Sequence, residues 1–204
     1  QRIESVRGPF SSLYGSEAIG GVIQIFLRHA PGTFTPNASV GIGSWSHWKA
    51  SSGFSAAGEK GWIAVQATHD QTKGINACRV GAAEVFAGCF ADTPDRDGFH
   101  DNALTIHGAY QFNPQWSADV RAMRTQGFNK YDGSFSDSDD YSTQVVGGQL
   151  HFRPNDKLNL SLRVGSSSDF DEDFLEDAYV DHFDTRRTLG SLQADVALGG
   201  GLLS

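Results

Sequence analysis

The feature that most restricts how this chain can fold is an alternation of apolar with polar or small residues, repeated about eight times after residue 33. A period of two places successive side chains on opposite faces of a β-strand. One face of each strand is therefore apolar, and the other carries polar groups that must be hydrated or paired. The sequence predicts an all-β fold. The runs are 38–42, 50–56, 63–67, 104–112, 116–122, 146–152, 158–164 and 192–198.

The connections between these predicted strands alternate between short and long. Tight turns on one side and longer loops on the other are typical of an up-and-down meander that crosses a bilayer. A soluble sandwich gives no reason for this regularity. The segment 43–47 departs from it, because it is short where a long loop is expected. The short connections are 57–61, 113–115 and 153–157, and the long ones are 70–102, 128–141 and 169–185.

The composition agrees with a transmembrane antiparallel β-barrel. Mean hydropathy is only −0.34, as expected where alternate residues alone contact lipid. No apolar run approaches the roughly 18 residues of a spanning helix. The sequence shows no signal peptide, which is either absent or lost with the true N-terminus. The net charge of −8 argues against a nucleic-acid partner, because such binding needs clustered Lys and Arg.

Residues 1–32 follow a different pattern from residues 33–204, and we predict a domain boundary between them. A short alternating strand ends at Gly-Pro, and a tight turn and an apolar strand follow. The segment 2–25 closely resembles the end of the plug domain of TonB-dependent outer-membrane receptors. Gln24 stands where that family usually has Asn. The structural plug residues that carry the resemblance are Arg2, Glu4, Arg7, Gly8, Pro9, Tyr14, Gly15, Gly20 and Gly21.

The resemblance implies a 22-strand barrel filled by an N-terminal plug. Residues 1–32 would be the C-terminal end of the plug, and residues 33–204 about the first eight barrel strands. It also implies energy-coupled import in the outer membrane of a Gram-negative bacterium, driven by the TonB–ExbB–ExbD complex through plug residues that precede this chain. Strand spacing resembles the cobalamin-receptor branch. A ferric-siderophore receptor is the alternative, and a non-transport surface binding or adhesion module is a further one.

In the cobalamin-receptor branch, the resemblance implies calcium ions bound by Asp-rich outer loops, although no cofactor is required. Calcium takes several carboxylate oxygens, whereas a solvated acidic surface is the alternative interpretation. Asp95 and Asp97 resemble only the start of an EF-hand loop, since no glutamate follows at the required spacing. The candidate calcium ligands are Asp132, Asp137, Asp139, Asp140, Asp171 and Asp173.

Cys78 and Cys89 lie in one polar segment and predict a disulfide that closes a small loop. Two free thiols are the alternative, and a zinc site lacks further ligands at suitable spacing. The serines show no nucleophile-elbow context, and the seven histidines are scattered along the chain. We therefore predict that the protein is not an enzyme.

Overall fold

The computed structural model describes residues 2–7, 21–26, 33–78, 93–198 and 201–203. Residue contacts divide the chain into two compact units, 1–31 and 32–204. All regular structure in the described residues is β-strand. None of the described segments forms a helix long and apolar enough to cross a membrane.

The first unit contains two antiparallel strands. β1 (Arg2–Arg7) pairs with β2 (Gly21–Phe26), from Arg2 opposite Phe26 to Arg7 opposite Gly21. The backbones of Arg2, Glu4, Arg7 and Gly21 therefore belong to one small sheet. The other predicted plug residues, Gly8, Pro9, Tyr14, Gly15 and Gly20, lie outside the described residues.

The second unit is one antiparallel meander in which each strand pairs with its neighbours in sequence, from β3 to β11. An order without crossovers is what an up-and-down barrel requires. β3 and β11 form the two open edges of the sheet. The strands are β3 (Phe34–Ile42), β4 (Trp48–Ala57), β5 (Gly61–Ile75), β6 (Asp97–Gln111), β7 (Trp116–Lys130), β8 (Ser138–Asn155), β9 (Leu158–Leu175), β10 (Ala178–Leu198) and the short β11 (Gly201–Leu203).

The eight predicted strands correspond to β3–β10, which confirms the fold class, but several strands are much longer than predicted. β9 has 18 residues and β10 has 21. The expected long connection 169–185 is therefore wrong. The chain turns at Glu176 and Asp177, whose φ values of 53° and 64° suit a tight hairpin turn. The strands continue here with polar residues on both faces, so no alternation marks them in the sequence.

The pairing register separates an apolar from a polar face across the sheet. Ile106, for example, lies opposite Val65 and Ala122, whereas Thr105 lies opposite Gln66 and Met123. The apolar face has no cover within its own unit: Val120, Val164 and Leu192 are 57%, 55% and 74% exposed. No large side chain among the described residues is fully buried. The sheet thus lacks a dry core of its own, and its apolar face must contact something else.

Aromatic rings gather on the apolar face next to the short turns. Trp116 stacks on Phe152 with ring centroids 4.3 Å apart, and Tyr110 meets Phe112 edge-on at 5.2 Å. Amphipathic rings prefer the boundary between lipid and water. Their position is that of an aromatic girdle at one edge of a lipid-facing band.

Substitutions at two adjacent residues of β6 test which face of the sheet contacts lipid. Ile106→Arg should destabilise the complete barrel by about 2–4 kcal/mol in a bilayer, because it places a charge near the middle of the apolar face. Thr105→Arg, at the same depth on the polar face, should change the free energy of unfolding by about 0.5 kcal/mol or less. Equilibrium unfolding of the complete barrel from phosphatidylcholine vesicles measures both values. Equal losses would contradict the assignment of the faces.

Candidate cation site at the loop ends of the strands

Three carboxylates from different parts of the chain meet where β6 begins and β7 ends. Asp95 precedes β6, Asp97 is its first residue, and Asp132 follows β7. One ligand oxygen from each lies within 4.8 Å of the others. In each carboxylate one oxygen, Asp95 Oδ1, Asp97 Oδ1 or Asp132 Oδ2, is buried and has no hydrogen-bond partner. Three carboxylates this close together repel one another unless a cation lies between them.

The second oxygen of each carboxylate is held in place. Asp95 Oδ2 lies 2.8 Å from Lys130 Nζ, and Asp97 Oδ2 accepts the backbone N–H of Ala77 at 2.6 Å. Asp132 Oδ1 accepts hydrogen bonds from the backbone N–H and the hydroxyl of Thr93. The contacts of one oxygen thus fix the orientation of each side chain, and the other oxygen has no partner. Such supporting hydrogen bonds are typical of carboxylates that ligate metals.

A β-bulge positions the first two of these residues. The register between β5 and β6 shifts between Thr72 and Ile75, and Gly74 adopts a φ of +67°. A Cβ at Gly74 would lie 1.8 Å from the backbone oxygen of Asp97. Only glycine accommodates this approach and this conformation, so Gly74 lets the start of β6 pass close to β5.

Lys130 stabilises the ionised form of one carboxylate of the cluster. Its ammonium group, followed by the Thr93 hydroxyl, lowers the pKa of Asp95 below the ordinary value. Asp95 in turn raises the pKa of Lys130. One lysine supplies a single positive charge against three carboxylates, so the cluster keeps a net negative charge. Hard divalent cations with oxygen ligands, calcium above all, fit this donor set.

A second acidic group lies on the polar face between β8 and β9, and two of its carboxylates, Asp139 and Asp173, accept hydrogen bonds from neutral donors. The Tyr131 hydroxyl lies 2.9 Å from Asp173 Oδ1 and from Ser136 Oγ. Burial, with a contribution from Asp173, raises the pKa of Tyr131 to about 12. Asn129 Nδ2 donates to Asp139 Oδ2 at 3.0 Å. These carboxylates have protein partners and do not converge with the first group.

The candidate calcium ligands predicted from the sequence therefore separate into different environments. Asp132 belongs to the three-carboxylate cluster. Asp137 accepts the backbone N–H of Glu176 at 2.8 Å and the Ser138 hydroxyl at 2.9 Å, so it joins two adjacent loops. Asp139, Asp171 and Asp173 share the polar face, whereas the register places Asp140 on the opposite face. Whether any of them binds calcium stays a prediction.

Sequence reasoning gave little weight to Asp95 and Asp97, which the structure brings to Asp132. Their spacing of two residues was a signal, because it places both side chains on one side of an extended segment. The distance of 35 residues between Asp97 and Asp132 hid the third member. Their meeting depends on the pairing of β6 with β7.

The cysteine prediction is only partly within the described residues. Cys78 has no free thiol, but Cys89, its predicted partner, lies outside them. The Cys78–Cys89 disulfide therefore stays a prediction. It would close part of the loop that leads to Asp95.

No family model matches the chain. It is 34% identical over 166 residues to the vitamin B12 transporter BtuB of Vibrio cholerae serotype O1, which is 81% of this chain and 24% of that protein. It is 26% identical over 209 residues to the vitamin B12 transporter BtuB of Photobacterium profundum, covering 99% of this chain and 32% of that protein. The chain thus spans about a quarter to a third of these relatives.

A solved structure supports the fold. The ferric enterobactin receptor PfeA of Pseudomonas aeruginosa, as a double mutant, aligns with a TM-score of 0.61 over 96% of this chain and 32% of that chain. Sequence identity is 17%, so this likeness concerns the fold alone. The two curated relatives are named as transporters, in agreement with the prediction of a non-enzymatic protein.

Two glycines test the role of the bulge. Gly74→Ala should destabilise the β5–β6 connection by about 1 kcal/mol or more, because the methyl group meets the Asp97 backbone at a positive φ. Gly41→Ala is the matched control, since a Cβ there has nothing within 4 Å. Limited proteolysis of the complete protein at this connection measures the effect. Equal cleavage rates in both variants would contradict it.

Proposed function

Since the chain belongs to the TonB-dependent outer-membrane receptors, we propose that the protein of which it forms part imports cobalamin across the outer membrane of a Gram-negative bacterium. The observation that carries the proposal is the likeness to two vitamin B12 transporters over most of the chain. The uncovered apolar face of β3–β10 supports it physically, because a lipid bilayer is a surface that can cover such a band continuously.

The polar face supplies a wall for a hydrated lumen. Asp101 accepts hydrogen bonds from the hydroxyls of Tyr141, at 2.8 Å, and Thr125, so three adjacent strands are tied together on that side. Arg163 Nη2 donates to Gln149 Oε1 at 3.2 Å on the same face. Such paired polar groups suit a lumen filled by a plug domain and water. Ligand would be recognised at the loop ends of this wall.

The energy for import would come from the TonB–ExbB–ExbD complex acting on the plug. No phosphate-binding motif occurs in the sequence, and β1 and β2 lie within residues 1–32, the segment predicted to be the end of the plug. In this proposal residues 1–32 have a structural role, because they connect the part of the plug on which the TonB complex acts to the first strand of the barrel.

Calcium is the cation we propose for the cluster of Asp95, Asp97 and Asp132. The three buried oxygens without partners favour a resident ion, and their carboxylates match its preference for oxygen ligands. Bound calcium would supply charge neutralisation there. The chain's own contribution is to hold the loops before β6 and after β7 together through Thr93 and Lys130. A fixed loop arrangement would reduce the ordering cost of ligand binding.

Ligand binding by the complete receptor tests the proposed import function. We expect saturable, high-affinity binding of cyanocobalamin in detergent, measured by equilibrium dialysis, and weaker binding after EDTA treatment because the loops lose their cation. A ferric catecholate siderophore is the comparison ligand. Siderophore binding that EDTA leaves unchanged, without cobalamin binding, would overturn the proposal in favour of an iron receptor.

A pair of isosteric variants tests the calcium site separately. Asp97→Asn should weaken calcium binding by about tenfold or more, because it removes one of three charges around the ion. Asp140→Asn removes an equal charge from β8, where Asp140 lies on the opposite face of the sheet from Asp139. This variant should leave the affinity for calcium unchanged. Isothermal titration of the complete, calcium-stripped receptor measures both. An equal effect of the two variants would indicate a diffuse acidic surface instead of a site.

A further inference from the structure

The backbone pairing between β5 and β6 ends just before the cation cluster. Ile75 opposite Asp97 is the last pair of this ladder. Thr93 lies four residues before Asp97 in the sequence, so the ladder does not reach it. Thr93 nevertheless supports one of the three carboxylates, that of Asp132. A contact other than backbone pairing must therefore hold Thr93 close to the end of β5.

Asn76, the residue that follows β5, supplies this contact. Its Nδ2 donates a hydrogen bond to the backbone oxygen of Thr93 at 2.8 Å, although the two residues are 17 positions apart in sequence. We call this contact the Asn76–Thr93 clasp. The Oδ1 atom of Asn76 accepts the backbone N–H of Cys78 at 3.2 Å, which is the bond of an Asx turn. One side chain thus forms a turn after β5 and joins that turn to the segment that leads into β6.

The clasp connects the groups that orient two of the ligands. Ala77, the next residue, donates its backbone N–H to Asp97 Oδ2 at 2.6 Å. Thr93 donates its backbone N–H to Asp132 Oδ1 at 3.1 Å, and its hydroxyl donates to the same oxygen. The bond from Asn76 to Thr93 therefore limits how far these donors can move apart. Ligands whose supports are already fixed lose less conformational freedom when an ion binds.

The amide of Asn76 is neutral, so the clasp adds no charge to the cluster. Its effect on a bound cation must come from geometry, in contrast to the effect of Lys130 on Asp95. Bringing together two chain segments 17 positions apart has an entropic cost. The clasp meets part of this cost before an ion binds. A cation that draws Asp97 and Asp132 together meets the other part, so the two events favour each other.

We propose that Asn76 is a positioning residue for the cation site, and that the Asn76–Thr93 clasp and the bound ion stabilise each other. This inference rests on the calcium proposed for Asp95, Asp97 and Asp132. Coupling between two sites acts equally in both directions. Calcium therefore stabilises the clasp by the same factor by which the clasp strengthens calcium binding.

Isothermal titration of the complete, calcium-stripped receptor with calcium tests the role of Asn76. Asn76→Ala should weaken calcium binding by about three- to tenfold, the effect of one lost neutral hydrogen bond. Asn76→Ser should have a similar effect. A serine hydroxyl can accept the N–H of Cys78 in the turn, but the side chain is too short to reach Thr93.

Asn113→Ala is the matched control. Asn113 Oδ1 accepts the backbone N–H groups of Gln115 and Trp116, at 2.9 and 3.0 Å, in the short turn between β6 and β7. Its loss removes side-chain hydrogen bonds of the same kind at the other end of the strands and should leave calcium affinity unchanged. Wild-type affinity in Asn76→Ser would overturn the inference, because Asn76 would then only form the turn.

Hydrogen–deuterium exchange of the same proteins tests the reciprocal effect. Saturating calcium should slow the exchange of the Ala77 and Thr93 amides in wild type, and by a smaller factor in Asn76→Ser. Equal slowing in both proteins would contradict the coupling. Heat-modifiable mobility checks that each variant is folded.

Asp97→Asn separates this inference from the calcium site itself. If Asp97→Asn weakens calcium binding and Asn76→Ser does not, the calcium site stands and the role assigned to Asn76 is wrong. A wild-type receptor that binds no calcium would overturn both. None of these measurements uses cobalamin, so their outcome does not depend on the ligand proposed for import.

Discussion

The ladder of backbone hydrogen bonds between consecutive strands is the interaction on which the rest of this structure depends. In a bilayer each backbone N–H and C=O must be paired within the protein, because no water is present to replace a lost bond. An uninterrupted meander from β3 to β11 satisfies that demand for every strand between its edges. It also fixes the parity of each residue, so a side chain's position in sequence decides whether it meets hydrocarbon or the lumen. The two open edges, β3 and β11, require further strands of the complete barrel.

The parity rule explains how much of the fold could be predicted from the sequence. Runs such as 104–112 and 158–164 have one apolar and one polar face, so their alternation is visible and predicts the strands there, although β6 and β9 extend well beyond the runs. Residues 178–190 carry charges on both faces, and nothing in their pattern distinguishes a strand from a loop. They form most of β10 because β9 is beside them and their backbones can pair. A strand segment surrounded by water needs no apolar face, whereas a segment in lipid does.

The candidate cation site could be predicted only in part for a related reason. An acidic residue near a predicted loop is easily noted, and six were, but convergence depends on register, which the sequence does not state. Asp132 reaches Asp97 because β6 pairs with β7 as far as Phe99 opposite Asn129, and because the bulge at Gly74 lets the start of β6 pass close to β5. Asp137 was expected to ligate, yet its oxygens accept hydrogen bonds from Ser138 and Glu176. A carboxylate whose oxygens already accept hydrogen bonds from the protein stabilises a loop, whereas a carboxylate with an unpaired oxygen can ligate a cation.

The charges of the sheet follow one logic when their partners are considered together. On the polar face Asp139 accepts a hydrogen bond from Asn129 and Asp173 accepts one from Tyr131, and calcium binding by these carboxylates stays a prediction. Asp95, Asp97 and Asp132 have one lysine, Lys130, beside them, and calcium is the cation proposed for this cluster. On the apolar face Arg186 has a carboxylate of its own, that of Asp184. An unsatisfied charge in a low-dielectric setting costs far more than one in water. The partners of each charge and the parity of its residue therefore decide together how far the charge is compensated within the sheet.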